Sequence, residues 1–395
     1  MTKNTFKPPA RYALSIHELT AIWKCFFYYR RRGLDPGYDD HFETTFTENF
    51  SAFMGGGYAD AVSSGCAALY VALKSLDLPP GSIVATSPVT DASIIGCIVE
   101  QGHIPYLIDS KPGSYNSSVV EFKERYIPDI RALILTHSGG EPCDVRPIAE
   151  FCREKGVELI EDCSQAIGAI PIGETQPVGN FGRFACFSTM YRKNLSVSGS
   201  SGLVFCKDLD DYKRAKQHAD RGKKWWDKEL VDMRDPGFAE FPALNWNSDE
   251  LRCAIGLANL KRLSETNQRR RNFVRKLLQF LQDLDVRLFR PYCFHDGFAP
   301  FYFPIFVDTR PIKKTVFDVS VDLRSKNLGI GVRYGCLVAT WDWARPYMYD
   351  QFDAPNALAT RDGCFHLYLN ENYKESHARK IAVELKSYEK EIAMK

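Results

Sequence analysis

Three places in this chain set chemically able residues directly after a short apolar run. In an open parallel sheet that is where ligands bind, at the carboxyl ends of the strands. The first is Ser63-Ser64-Gly65-Cys66-Ala67-Ala68-Leu69, where an apolar run turns through a glycine into a helical pattern. The unpaired N–H groups and positive dipole end of such a helix start suit an anion, and a phosphate in particular. The second is Glu161-Asp162-Cys163-Ser164-Gln165. An aspartate there can hold a ring nitrogen protonated, and Gln165, three residues on, can reach another polar atom of the same ring. The third is Phe187-Ser188, followed by Tyr191-Arg192-Lys193-Asn194, which brings a lysine amine to the same edge. Taken singly, each has an ordinary explanation: a serine N-cap, an aspartate turn, a solvated lysine.

For the three to meet, the runs before them must be strands of one sheet. Short apolar runs bounded by Gly, Pro, Ser or Asp fall at 59–62, 83–86, 104–108, 132–136, 157–160, 184–187 and 203–206. Helical patterns at 67–76, 92–100 and 147–155 separate several of them. Alternation on this scale predicts an α/β fold with a mainly parallel seven-stranded sheet between helices. Ahead of it, helical stretches at 16–30 and 40–53 end at Gly55-Gly56-Gly57. Behind it, 249–262 is an amphipathic helix whose charged continuation runs through 265–284. A strand at 299–307 and a closing helix at 374–392 then belong to a smaller α+β unit. The expected division is a helical lead-in over 1–54, a large domain over 55–265 and a small C-terminal domain over 266–395.

Composition narrows the partners. A chain of 395 residues with 45% hydrophobic content can bury a large core and a smaller second one. Its 51 Lys plus Arg and 49 Asp plus Glu leave a net charge of +2, no electrostatic footprint for nucleic acid or an acidic membrane. Small molecules and further copies of the chain are the expected partners. The twelve cysteines show no CxxC pair and no zinc-like spacing, so free buried thiols are expected. His17, His41, His103, His218, His295, His366 and His377 show no metal-ligand spacing, and no metal site is expected. The opening MTKNTFKPPARYALS has no apolar leader core, and the longest apolar stretch, near 92–99, is too short to cross a bilayer. The expectation is a cytoplasmic protein without disulfides. The basic-aromatic stretch Arg221-Gly222-Lys223-Lys224-Trp225-Trp226 fits a mobile loop near the active site better than a nucleic-acid contact on a neutral chain.

The joint order of the three places resembles the DegT/StrS-type sugar aminotransferases over nearly the whole chain. Members of that family run S-G-T-A-A-L, then E-D-x-A-Q-A-x-G-A, then F-S-F-x-x-x-K-N-L, then a glycine-rich turn and N-Y-R-M-x-E. Here these stand as Ser64-Gly65-Cys66-Ala67-Ala68-Leu69, Glu161-Asp162-Cys163-Ser164-Gln165-Ala166, Phe187-Ser188 through Lys193-Asn194-Leu195, and Asn245-Trp246-Asn247-Ser248-Asp249-Glu250. His137-Ser138-Gly139-Gly140 with Pro142-Cys143-Asp144 is similar to the family's H-x-x-G-x-P-x-D. The resemblance implies a fold-type I enzyme using pyridoxal 5′-phosphate (PLP), with Lys193 carrying the cofactor as a Schiff base and moving protons. It implies that Asp162 keeps the pyridine nitrogen protonated and that Gln165 binds the ring 3′-oxygen. Backbone N–H groups around Gly65, Cys66 and Ala67, with the Ser188 hydroxyl, would hold the phosphate. Asn245 of a neighbouring subunit would complete that site in a homodimer.

Four departures stand against the pattern. Cys66 replaces the usual Thr, Asp91 stands where many members stack Phe or Trp on the ring, Ser200 where a turn has Glu, and Asn247 where Arg or Lys is common. Arg333, in a segment that in relatives often carries a His, is a candidate for binding a substrate carboxylate. The implied reaction is transamination of a keto sugar, nucleotide-linked, or a related keto compound, with glutamate or glutamine as donor. The alternatives are dehydration or deoxygenation on the same scaffold, whose members replace the lysine by His, and a regulatory member without catalysis.

Overall fold

In the computed structural model, residues 15–225, 237–326 and 328–393 are described. The expectations placed on residues 1–14 and on Trp226 lie outside the described residues. Helices α1 (Ile16–Arg32) and α2 (His41–Phe53) lead into strand β1 (Tyr58–Val62) and helix α3 (Gly65–Ser75). There follow β2 (Ile83–Thr86), α4 (Ala92–Glu100), β3 (Ile104–Leu107), α5 (Val119–Arg125), β4 (Ile130–Thr136) and α6 (Val145–Lys155). Strands β5 (Glu158–Asp162), β6 (Phe184–Ser188) and β7 (Gly202–Cys206) and helix α7 (Leu209–Ala219) finish this part. The seven strands form one sheet in the order β1-β7-β6-β5-β4-β2-β3, in which only β7 runs antiparallel to its neighbours.

Both faces of the sheet are covered, which is why its strands read as continuous apolar runs. Side chains alternate along each strand. Phe184 and Cys186 of β6 pack with Ala68, Leu69 and Ala72 of α3, while Ala185 and Phe187 pack with Phe46 and Phe50 of α2. The helices at 119–125 and 209–219 were not foreseen. Both are short and dominated by charged residues, so their apolar period is weak.

Helices α8 (Glu250–Leu260) and α9 (Leu263–Asp283) were expected as one continuous pattern. The break falls at Lys261 and Arg262, the C-cap of α8 and the N-cap of α9, where the φ of −108° and ψ of −4° at Arg262 depart from regular helical values. It redirects the chain: Leu260 and Leu263 pack in the core under α2, whereas Phe273, Val274 and Leu277 belong to the C-terminal core. That second unit contains β8 (Phe289–Pro291), β9 (Tyr302–Val307), α10 (Val316–Ser325), β10 (Ile330–Gly331), α11 (Pro355–Gly363), β11 (Cys364–Tyr368) and α12 (Glu375–Ala393). Its antiparallel sheet runs β10-β11-β9-β8, with α9 and α12 packed on it.

Strand β9 starts at Tyr302 rather than at 299 because residues 299–301 pair elsewhere. Ala299 N–H donates to the Gly140 carbonyl at 2.9 Å and Phe301 N–H to the Gly139 carbonyl at 3.0 Å. Gly140, at φ +86°, allows this approach: a Cβ there would sit 2.1 Å from the Ala299 carbonyl oxygen. The Gly139-Gly140 turn thus clamps the C-terminal unit to the end of β4. Buried Glu250 performs a similar service at the other side, accepting hydrogen bonds from the Tyr29 hydroxyl at 2.6 Å and from the Phe42 and Glu43 N–H groups at 2.7 and 2.9 Å. Its charge satisfies the start of α2, which Asp40 does not cap. Among the described residues no helix is long and apolar enough to cross a membrane.

Candidate active site

Strands β5 and β6 lie side by side in the middle of the sheet, so Asp162 and Ser188 end at neighbouring positions. Helix α3 starts against the same edge, where its Gly65 is so close to β6 that a Cβ would lie 2.7 Å from the Ser188 Cβ. Ser64 caps the helix, accepting the Ala67 N–H at 3.0 Å. The N–H groups of Gly65 and Cys66, in the first turn, have no acceptor within the helix. Of the three backbone groups expected to meet a phosphate, two are thus open and the Ala67 N–H is engaged in the cap.

Lys193 sits on the connection from β6 to β7. Hydrogen bonds from Thr189 N–H to Ser201, Tyr191 N–H to Gly199 and Val197 N–H to Thr189, each at 2.9 Å, fold this connection back on itself. Asn194 fixes it to the C-terminal side by donating to Asn267 Oδ1 at 3.0 Å and to the Ala299 carbonyl at 3.2 Å. The lysine side chain enters a cleft of about 200 Å³. Gly65, Cys66, Asp91, Asp162, Gln165, Ser188, Ser200 and Cys336 are among the residues that line it with Lys193. Among the described residues the Lys193 Nζ has no hydrogen bond and no ion pair; its polar-face contact is the Phe301 ring, 5.0 Å away. Burial lowers its pKa, and the nearby Asp162 and Asp91 charges oppose that shift.

The Asp162 carboxylate is buried, with the Ser164 N–H donating to it at 3.1 Å. Burial raises its pKa, and Ser164 and Lys193 pull it back down. A positively charged ring nitrogen beside it would satisfy this carboxylate far better than any group the chain itself supplies. Gln165 is held between the Gly139 N–H and the Tyr334 hydroxyl. Asp91 caps α4 through the Ser93 N–H at 3.0 Å, and Cys66 is exposed to the cleft, its thiol pushed up chiefly by burial. Cys66, Cys293 and Cys336 are the cysteines with any exposure; the other nine are buried and all twelve are free.

Other expected residues lie apart. Asn245 does not line the cleft of its own chain; its Oδ1 accepts from the Asn247 N–H and side chain at 3.1 and 3.0 Å. Residues 221–225 do not line it either: Arg221 and Lys223 pair with Asp220, and Lys224 with Glu240. The candidate carboxylate-binding Arg333 is corrected, because it faces a separate cavity and its guanidinium is taken by Asp362 at 2.7 Å.

Two residues quoted in the motifs carry a supporting role that the sequence did not assign. Glu161 is fully buried and accepts N–H groups from Gly179, Phe181 and Gly182 at 2.7–2.8 Å. His137 Nδ1 accepts the Cys143 N–H at 3.0 Å, which leaves the proton on Nε2, facing Glu161 at 3.1 Å. With Cys163 these side chains are close enough to share a metal ion, but both imidazole nitrogens and both carboxylate oxygens already have protein partners. They stiffen the strand end that carries Asp162.

A half-buried lysine without a polar partner, a buried acid at the next strand end and an open helix start on one sheet edge are the features of a fold-type I PLP enzyme. Residues 39–386 match the model of the DegT/DnrJ/EryC1/StrS aminotransferase family. The chain belongs to that family, and is thereby a PLP-dependent aminotransferase. It is 27% identical over 317 residues to the spore coat polysaccharide biosynthesis protein SpsC of Bacillus subtilis, covering 79% of this chain and 80% of that one. It is 31% identical over 239 residues to the GDP-perosamine synthase of Vibrio cholerae, covering 60% of each. For several such relatives the match spans less than two thirds of their length. The fold matches the X-ray structure of an aminotransferase from Psychrobacter cryohalolentis with a TM-score of 0.87 at 19% identity, covering 98% of this chain and 99% of that one.

Proposed function

We propose that this enzyme transfers an amino group to a keto sugar carried on a nucleotide, with glutamate or glutamine as donor. The support for the acceptor is the set of relatives named for such reactions, among them GDP-perosamine synthase and a dTDP-4-dehydro-2,3,6-trideoxy-D-glucose 4-aminotransferase of Saccharopolyspora spinosa. The observation that carries the chemistry is the unpaired Lys193 amine in the same cleft as Asp162. PLP, when bound, supplies a conjugated electron sink for the pair released from the substrate C–H bond. Lys193 Nζ would take the proton from that carbon and deliver it to C4′ of the cofactor. Its lowered pKa leaves more of the amine uncharged and so able to accept. Asp162 holds a proton at the ring nitrogen, and Gln165 donates to the 3′-oxygen. The Gly65 and Cys66 N–H groups and the Ser188 hydroxyl bind the phosphate. Ala67 contributes the turn that aims them rather than a free N–H.

The rest of the reading concerns assembly. Two copies pair so that Asn245 of one approaches the phosphate bound in the other, which fits its position outside its own cleft. The chain divides into a lead-in over 1–54, a large domain over 55–265 and a small domain over 266–395. Free thiols at every cysteine support residence in the reducing cytoplasm.

The test is Lys193→Ala. The variant should lose the visible absorbance of the bound cofactor and, with glutamate, show at least a thousandfold slower conversion to the amino form, on the order of 4 kcal/mol. Wild-type turnover in that variant would refute the assignment.

A further inference from the structure

The amide of Gln165 is fixed at both ends by the protein. Its Oε1 accepts the Gly139 N–H at 2.9 Å and its Nε2 donates to the Tyr334 hydroxyl at 3.0 Å. Turning the amide over would set its nitrogen against the Gly139 N–H, donor against donor, so one orientation is imposed. An amide nitrogen carries two hydrogens. With one spent on Tyr334, the other remains as a donor for the cleft that Gln165 lines.

Both groups that hold the amide are bound to the C-terminal unit. The Gly139 carbonyl accepts the Phe301 N–H, so the residue whose N–H fixes Oε1 is held from that side through its next peptide. Tyr334 follows β10, and its ring packs against those of Tyr302, Tyr115 and His366 at centroid distances of 5.0, 5.5 and 5.0 Å. His366 brings no charge there: burial drives its pKa down to about 3, and its Nε2 pairs with the Tyr115 hydroxyl at 2.9 Å.

We propose that Tyr334 is a positioning residue which, by holding the Gln165 amide with an N–H toward the cleft, couples the seating of the C-terminal unit to the acidity of the bound cofactor. The inference rests on the reading of the cleft as a PLP site with Gln165 at the ring 3′-oxygen. A donor to that oxygen favours its anionic form, and a donor held in place beforehand loses nothing to reorientation. Freed from Tyr334, the amide divides its time among other partners and the anionic form loses support.

The experiment compares holoenzyme, Tyr334→Phe, Gln165→Ala and the double variant, without substrate, by pH titration of the cofactor absorbance. Asp91, Asp162, Lys193, Cys66 and Cys336, the titratable groups that line the cleft, are the same in all four. Tyr334→Phe keeps the ring and removes the hydroxyl. Its midpoint should rise by about 0.5–1 pH unit, Gln165→Ala should rise at least as far, and the double variant should match Gln165→Ala alone. Thermal denaturation of each variant separates this effect from loosening of the fold, which would not reproduce that non-additivity. A midpoint unmoved in Tyr334→Phe but raised in Gln165→Ala overturns the role of Tyr334, as do two shifts that simply add. If neither variant moves, Gln165 is not at the ring oxygen and the proposal falls with that placement. If no preparation shows cofactor absorbance, it falls with the PLP reading itself.

Discussion

Lys193 and Asp162 gain from burial in opposite ways. The same low-dielectric cleft that lowers the pKa of the lysine also raises the cost of an ionised aspartate. A cation beside Asp162, as the proposed cofactor's protonated ring nitrogen would supply, would ease that cost. Asp162→Asn keeps the shape and the Ser164 contact but cannot hold that proton. It should bind cofactor and slow the amino-acid half-reaction by more than about tenfold, or ~1.4 kcal/mol, in stopped-flow absorbance. Lys193, Asp162, Gln165, Ser188 and Cys66 could be picked out from the sequence because each follows a recognisable strand or opens a helix. Cys336, which lines the cleft, and Tyr334 and Phe301, which touch Gln165 and Lys193, could not, since they come from the second unit through contacts that no local pattern encodes. Glu161 and His137 stand in the quoted motifs, yet their roles could not be read there: a buried carboxylate satisfied by backbone N–H groups, and the imidazole that faces it, look in the sequence like any exposed polar residues.

At the scale of elements, strands buried on both faces were the most legible, because an apolar run of four to seven residues between turn formers has few other readings. The starts of β9 and α9 were not, for each depends on a partner: the Gly139-Gly140 turn in one case and the change of core at Arg262 in the other. The junction of α2, β1 and α7 carries a charge arrangement equally invisible in sequence. Lys216 pairs with Asp39 at 2.5 Å and Asp60 at 3.5 Å, with Glu43 close by. Burial pushes Glu43 up to about 8, partly offset by Lys216 and reinforced by Asp60 and Asp39; Asp60 rises to about 6, again chiefly through burial. For groups with raised values, the folded state holds a proton the unfolded chain has lost. Their stabilisation is complete below the unfolded value and disappears as pH climbs through the folded one. Wild-type stability from this junction should therefore decline between about pH 4 and 8. Glu43→Gln should flatten that slope, so that its urea midpoint relative to wild type is better at pH 9 than at pH 5.

At the scale of the molecule, the cleft has Lys193 as its one cation-bearing lining residue among those described, set against two carboxylates. An anionic cofactor and a donor carboxylate both call for more positive or donor groups than that. The proposed second copy would supply them, and a mixing experiment tests it. Asn245→Asp sets a carboxylate against the phosphate and Lys193→Ala removes the anchor, so each variant should be inactive alone. Refolded together, heterodimers with shared sites contain one site in which both residues are intact, and activity should return. A mixture that stays inactive although native mass measurement shows heterodimers would refute the shared site. Alternation of strand and helix revealed the large sheet and left the rest as a smaller α+β unit, whereas the clamp that joins the two depends on two glycines whose roles appear only once Ala299 and Phe301 are beside them.

The distribution of thiols has a practical consequence. With nine cysteines buried and three reachable, two of them on the walls of the cleft, the enzyme already contains a chemical reporter of ligand occupancy. A fluorescent maleimide should mark Cys66 and Cys336 in the empty cleft and leave Cys293 as a constant internal standard. The ratio of the labelled peptides then counts filled sites directly, for any candidate donor or sugar, before a single turnover has been observed.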